Sequence, residues 1–253
     1  MKKDEEKRGD SNFAEGAVSI LSILKNDSRP VYEILLLPTA KKDENNILKL
    51  LNLAKKKKIP IALSDEAFFS RVTTGHTHGG VIARVGERKM ASVREVFERG
   101  NGFVFMLCGI EDPFNFGCAV RSFYAAGAGG MILSPRNWLS AAGVTIRSSA
   151  GTCEAIACAS ANDPEEVCRI AKELGYSVVC ASENDSQPLF TAPLEKPIFF
   201  IVGGEKRGIS KTFLSLADRK VRIPYGRGFR GSLTASAAAA VCAFEVYRRE
   251  ISK

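Results

Sequence analysis

Hydrophobic positions along the chain come in short clusters whose spacing switches between the period of a helix and that of a strand. Near the start, Asn12-Phe-Ala-Glu15 has the form of a capping box and predicts a helix running to about Leu24. Val31–Leu37 is a mainly apolar run stopped by Pro38, as a buried strand would be. Asp43 can cap a helix with Ile47, Leu50, Leu51 and Ala54 on one face and Lys55–Lys58 at its end, where cations suit the helix dipole. Ile59–Leu63 and Val81–Val85 predict two further strands, with the polar loop Thr73–Gly80 before the second.

Gly86–Gly102 is polar and carries the turn signal Gly100-Asn-Gly102, which predicts a domain boundary. Residues 11–98 are thus expected to form a small α/β domain behind a disordered charged tail at 1–10, and 99–253 a larger domain. In the larger one, strands are expected at Phe103–Gly109, Gly130–Leu133, Tyr176–Cys180, Ile198–Val202 and Lys220–Ile223. Helices are expected at Phe116–Ala126, Pro164–Leu174 and from Leu233 to about Ile251. This alternation implies an α/β fold built on a mainly parallel sheet covered on both faces.

Composition narrows the class. The chain has 253 residues, 45% hydrophobic and 25% charged, which suits folded globular domains and excludes wholesale disorder. No apolar stretch approaches the roughly 18 residues of a membrane span, and Met1–Asp10 is charged where a secretory signal needs an apolar core. A cytoplasmic protein with no membrane partner is expected. Lys and Arg number 36 against 28 Asp and Glu, a net charge of +8, and Lys206–Arg230 alone holds 8 basic residues against one acid, Asp218. Such density suits a polyanion through counterion release, and suits a solvated face equally well. Seven cysteines without a CxxC pair, and only two histidines, predict neither a disulfide framework nor a metal site.

Ligands of open parallel sheets bind at loops leaving the strand carboxyl ends. Three such loops are rich in Gly and polar residues: Gly109–Gly117, Val202–Gly208 and Pro224–Gly231, the last followed by Ser232-Leu-Thr-Ala-Ser236. Gly203–Gly208 lacks the Gly-Lys-Ser/Thr ending of a phosphate loop, and Gly127–Gly130 precedes a strand instead of opening a helix. Taken singly, each loop has a structural explanation: Gly127 as a helix C-cap, Ser232 as an N-cap, glycines in ordinary turns.

Asp112-Pro-Phe-Asn115-Phe-Gly117-Cys-Ala-Val-Arg121, then Gly203-Gly-Glu205 with Gly208, then Ile223-Pro224 and Ser232-Leu233 resemble three ordered motifs of the SpoU (TrmH) RNA ribose methyltransferases, of the SPOUT superfamily. Arg147-Ser-Ser-Ala-Gly151 followed by Glu154 is similar to that family's Ser-Ala-Gly-Ala-x-Glu stretch, and the match runs over Phe103–Arg249. The N-terminal part more faintly resembles a ribosomal-protein-like substrate-binding domain. There Gly75–Ala83 is similar to a His-Gln-Gly segment, with Gly79 where glutamine is usual.

The resemblance implies a deep trefoil knot, S-adenosylmethionine as cofactor, RNA as substrate and a homodimer with shared active sites. Ribosomal RNA is the more expected substrate; a tRNA ribose methyltransferase and a non-catalytic RNA-binding protein are the alternatives. Val202, Gly203, Gly204, Ile223, Pro224, Ser232 and Leu233 would hold the cofactor, the glycines by letting backbone approach it. Asn115, Arg121, Glu205, Ser232 and Thr234 would form the catalytic set. A buried Arg121 would position the target ribose, Asn115 would cap its helix, and Glu205 would steady Arg121. Lys206, Arg207, Arg222, Arg227, Arg230 and His78 would contact RNA, while Phe229 is expected to be buried in its loop. The family usually has asparagine where Gly204 and Thr234 stand; the threonine lacks an amide donor.

Overall fold

The computed structural model describes residues 12–40, 45–73, 78–134, 142–204, 208–229 and 231–252. They form two compact units, 12–89 with 142–155 and 90–134 with 156–252.

The first unit opens with β1 (Asn12–Glu15), α1 (Ala17–Asn26), β2 (Val31–Leu36), α2 (Asn45–Lys56), β3 (Ile61–Leu63), α3 (Glu66–Val72) and β4 (Val81–Val85). Its sheet runs β1-β4-β2-β3. The expected capping box at Asn12–Glu15 is a strand instead. All four residues pair antiparallel with β4, from Asn12 opposite Val85 to Glu15 opposite Ile82. Cross-strand pairing here outweighs a local cap signal, and Gly16, at φ 83°, breaks the chain into α1 without any side-chain cap. The apolar face of α2 buries Ile47, Leu50 and Ala54 as its spacing requires. The α3 helix, absent from the sequence reading, begins where the Asp65 carboxylate accepts from Phe68 N at 2.7 Å.

The second unit starts with α4 (Val93–Arg99) inside the stretch expected to be a linker. A complete capping box explains it: Ser92 accepts from Glu95 N at 3.2 Å while Glu95 accepts from Ser92 N at 2.8 Å. Then come β5 (Phe103–Cys108), α5 (Pro113–Ala125) and β6 (Gly130–Leu133). The chain next contributes α6 (Ala142–Ser148) and α7 (Thr152–Ala155) to the first unit. It returns as β7 (Ala157–Ser160), α8 (Pro164–Glu173), β8 (Ser177–Ala181), β9 (Gln187–Pro188), β10 (Ile198–Gly203), α9 (Lys211–Leu216), β11 (Arg219–Arg222) and α10 (Ala235–Ile251).

Seven parallel strands follow the order β7-β6-β5-β10-β8-β11-β9. Alternation along β5 serves both faces of this sheet. Phe103 and Phe105 meet Phe123 of α5, the second pair stacked at 4.2 Å. Val104, Met106 and Cys108 share a core with Phe97 of α4, Val167 and Cys168 of α8, and Phe213 of α9. Six of the seven cysteines are buried and all are free. Burial pushes the thiols of Cys108, Cys153, Cys180 and Cys242 up to about 12, so they stay protonated and act as small apolar groups.

Segment 142–155, which includes the Ser-Ala-Gly stretch and Glu154, is tied to the first unit at three places. Ser22 Oγ donates to Gly151 O at 2.6 Å, and Arg147 Nη1 to Glu15 Oε2 at 2.7 Å. Glu154 takes Ser28 Oγ at 2.6 Å and Arg29 Nε at 3.0 Å, with both members of the ion pair buried. Among the described residues no helix is long and apolar enough to cross a membrane, and no cluster of three His, Cys, Asp or Glu could hold a metal.

Candidate functional site

Because the seven strands run parallel, β5, β10 and β11 deliver the three glycine-rich loops to one edge of the sheet. Gly109, at φ 70°, turns the chain out of β5. Asp112 caps α5, accepting from Phe114 N at 3.2 Å and Asn115 N at 3.1 Å, with Pro113 at the first helical position. The cap is therefore Asp112, and Asn115 is free for another task. Its Oδ1 accepts from Ser236 Oγ at 3.1 Å.

Ser236 lies in the first turn of α10. Thr234 is the N-cap there, accepting from Ala237 N at 3.3 Å, with its hydroxyl 3.2 Å from that of Ser236. The capping role expected of Ser232 thus falls two residues later, and Ser232 is exposed ahead of the helix. The relay Thr234–Ser236–Asn115 joins the first and third motifs. Sequence reading missed Ser236, whose only signal is a further hydroxyl two residues after Thr234 at the helix start.

The middle loop meets the first through its backbone. Gly204 N donates to Cys108 O at 2.6 Å, and Gly208 N to Gly204 O at 3.0 Å. A Cβ on Gly204 would sit 2.2 Å from Gly109 O, and one on Gly203 would sit 2.8 Å from the Gly208 carbonyl carbon. These glycines let backbone approach backbone, whereas the sequence suggested approach to a ligand. Gly204→Ala is expected to force the two loops apart, costing about 1–3 kcal/mol. Urea unfolding would register it, and an unchanged midpoint would contradict the close contact.

In the third loop, Tyr225 Oη accepts from Leu233 N at 3.3 Å. Ile223 and Leu233 are apolar yet only half-buried, while Pro224 is exposed. Val202 is 1% exposed, so among the expected cofactor contacts it can offer only backbone. Phe229 is 55% exposed, not buried: a tight turn with positive φ at Arg227 and Gly228 lifts it outward, edge-on to Tyr225 at 5.5 Å.

Arg121 is exposed, against the expectation of a buried guanidinium. Phe116, Ala119, Val120 and Phe123 occupy the buried face of α5 and turn Arg121 away from it. Among the described residues no carboxylate pairs with it. Arg227 is exposed too, and exposed Arg222 spends one donor on Ser186 O. Glu205, Lys206, Arg207 and Arg230 lie outside the described residues. His78 belongs to the first unit, where its Nδ1 accepts from Gly80 N at 3.1 Å and its ring packs on Phe69 at 5.1 Å.

The loop chemistry fits an adenosyl sulfonium donor. Ile223 and Leu233 present aliphatic surface for a base, and the loops present backbone groups that could read its edge. The model of the SpoU rRNA methylase family matches residues 102–244, more than half of the chain. The chain belongs to the SpoU rRNA methylase family.

A second family model, RNA 2′-O ribose methyltransferase substrate binding, matches residues 13–91 of this SpoU chain. A 23S rRNA (guanosine-2′-O-)-methyltransferase RlmB from Shewanella oneidensis is 24% identical over 241 residues, covering 94% of this chain and 97% of the relative. An uncharacterized tRNA/rRNA methyltransferase from Archaeoglobus fulgidus is 28% identical over 207 residues, covering 81% and 86%. Among solved structures, the SpoU methyltransferase AviRb from Streptomyces viridochromogenes in complex with AdoMet aligns with a TM-score of 0.80 at 21% identity, covering 98% of this chain and 93% of that one. The AdoMet-bound rRNA methyltransferase from Sinorhizobium meliloti aligns at 0.78 and 23% identity, covering 98% and 90%. At these identities the likeness establishes the shared SpoU fold.

Proposed function

We propose that this protein transfers a methyl group from S-adenosylmethionine to a ribose 2′-hydroxyl of RNA, ribosomal RNA in the first place. The observation that carries the reading is the meeting of the family's motifs at one sheet edge, through Gly204 against Gly109 and Ser236 against Asn115. Backbone at 202–204, with Ile223, Pro224, Ser232 and Leu233, would hold the cofactor. When bound, it supplies an electrophilic methyl carbon. Arg121 binds the phosphate beside the target ribose and fixes the hydroxyl, whose proton would pass to water as the oxygen takes the methyl; a guanidinium does not deprotonate in proteins, so it orients and stabilises charge. Glu205 steadies that arginine. Asn115, held by Ser236, orders the loop in front of α5. Arg222, Arg227, Lys206, Arg207 and Arg230 line the RNA backbone, and exposed Phe229 stacks on a base.

The first unit serves substrate binding and the second methyl transfer. Threading of the segment after β10 into a knot, a cytoplasmic location and a homodimer complete the proposal. For the dimer, Phe244, Tyr247 and Ile251 form an exposed apolar stripe on α10, at 46, 37 and 65%. Their spacing of three and four residues places them on one side of the helix, and a second copy covers them. A sedimentation mass near the 27.4 kDa of one chain would remove this element.

Thr234, its hydroxyl occupied as a helix cap, favours the rival reading of an RNA-binding protein without turnover. Total cellular RNA incubated with the protein and tritiated S-adenosylmethionine separates the two. Label recovered in ribosomal RNA, at a nucleotide resistant to alkaline cleavage, is the expected result. Bound but unlabelled RNA would decide for the rival, and label in tRNA alone would redirect the substrate.

A further inference from the structure

The second unit contains a cavity of about 370 Å³ that the chemistry above does not use. β7, β6 and β5 lie side by side in the parallel sheet, and the cavity opens where all three end, at Ala161, Ser134 and Gly109. Carboxyl ends of parallel strands are where such sheets take ligands. None of the residues assigned to the cofactor is in its described lining. Two glycines nevertheless join it to the motif loops. Gly109 is the residue whose carbonyl crowds Gly204, and Gly208 closes the loop that Gly203 opens. At Gly208, with φ 59°, a Cβ would meet nothing within 4 Å, so the backbone there borders open space.

The lining has a definite chemistry. Met106 and Phe213, 2 and 3% exposed, belong to the core shared by β5 and α9 and give an apolar floor, a polarizable thioether beside an aromatic ring. Polar groups stand at the rim. Ala161 N donates to Leu133 O at 2.9 Å, fixing the turn that carries Asn162. Asn162 is exposed and spends neither its carbonyl nor its amide on a described residue, while its neighbour Asp163 is engaged as the cap of α8, accepting from Glu165 N at 2.9 Å. Ser210 Oγ accepts from Phe213 N at 3.3 Å as the cap of α9, which leaves its proton for a ligand.

The described lining holds no charged side chain. A phosphate or carboxylate would meet no countercharge there, whereas a flat uncharged group with donors and acceptors on its edge suits both floor and rim. A nucleobase is such a group: its faces favour apolar and aromatic contact, and a carboxamide can pair with its edge. The volume lies at the low end of small-ligand sites, so a base enters and its sugar and phosphate stay at the mouth.

We infer that this cavity takes one unpaired base of the RNA, with Met106 and Phe213 against its face and Asn162 on its edge. Resting on the reading of RNA as substrate, it gives the methyl-transfer unit a base-reading pocket and makes Asn162 a specificity-determining residue.

The test uses the full chain labelled with ¹³C at the methionine methyls. It is titrated with short single-stranded RNAs, one for each base, with an abasic chain of equal length, and with S-adenosylmethionine alone. Met106 reports on the cavity. Met131 is the reference, because alternation along β6 sends Ile132 into that core and Met131 to the other face of the sheet. At least one base-bearing RNA should shift the Met106 methyl through the ring current of the bound base and leave Met131 in place, and the abasic chain should shift neither. Silence of Met106 to all four RNAs overturns the proposal, as does an equal response to the abasic chain. A Met106 shift produced in full by S-adenosylmethionine alone assigns the cavity to the cofactor and overturns it too. Asn162→Ala removes an exposed side chain without a described partner, so Tm should hold while affinity for the responding RNA falls at least fivefold. Wild-type affinity in that variant overturns the edge contact and the pocket with it. If RNA is never methylated yet a base-bearing RNA moves the Met106 methyl, the activity reading fails and the pocket stands. If methylation proceeds while that methyl stays silent, the pocket fails alone.

Discussion

Arg121→Ala is expected to reduce methyl transfer at least about 100-fold while leaving Tm within about 2 °C of the parent. The two halves of this expectation have separate physical origins. Arg121 is exposed on α5 and no described residue pairs with it, so its removal opens no cavity and orphans no buried charge. The chemistry is another matter. In the proposed role, a planar cation with five donors would grip a phosphate and hold a neighbouring hydroxyl in line, and effective molarity lost with that grip would not be recovered from elsewhere in the loop. Arg121→Lys keeps the charge without the fork and should recover only part of the rate. Single-turnover labelling at saturating RNA, with thermal melting alongside, checks both halves. Full activity in Arg121→Ala would remove this residue from the reacting centre.

Glu154→Ala is expected to be the most destabilising single change, at about 3–5 kcal/mol. Its carboxylate is buried against Arg29 and receives the Ser28 hydroxyl at 2.6 Å. Deleting it leaves Arg29 charged and enclosed, and frees the end of segment 142–155 from the first unit. An Arg29→Met, Glu154→Leu pair should recover much of the loss, because two apolar side chains carry no desolvation penalty. Equilibrium urea unfolding of both singles and the double would show this. A Glu154→Ala protein within about 0.5 kcal/mol of the parent would mean that solvent reaches the pair.

Glu154 also shows where reading by motif stopped. In the sequence it accompanies a Ser-Ala-Gly stretch that resembles part of the methyltransferase pattern. In the fold its carboxylate is spent on Arg29 of the first unit, which also holds Glu154, more than 120 residues earlier in the chain. Arg121 shows a similar gap. Spacing put it on α5, but only packing decides which side of a helix faces a sheet, and that side is Phe116, Ala119, Val120 and Phe123. Asn115 was read as a cap, yet the nearby Asp112 is better placed to accept from two amides, which leaves Asn115 to Ser236.

Local signals succeeded where backbone and side chain satisfy one another within a few residues. The strand runs at Val31, Phe103 and Ile198, the amphipathic face of α2 and the glycines between strands and helices were legible for that reason. Even so, the capping box expected at Asn12 became a strand, while the complete one at Ser92 lay in a supposed linker. Both patterns are equally good locally, and partners distant in sequence chose between them.

The sequence by itself determined an α/β chain with three glycine-rich strand ends of recognisable family character. Tertiary structure alone decided which hydroxyl meets Asn115, which backbone crowds Gly204, and which unit holds Glu154. Those contacts join positions up to 126 residues apart, and no periodicity or spacing along a chain encodes a distance between segments that meet only after folding.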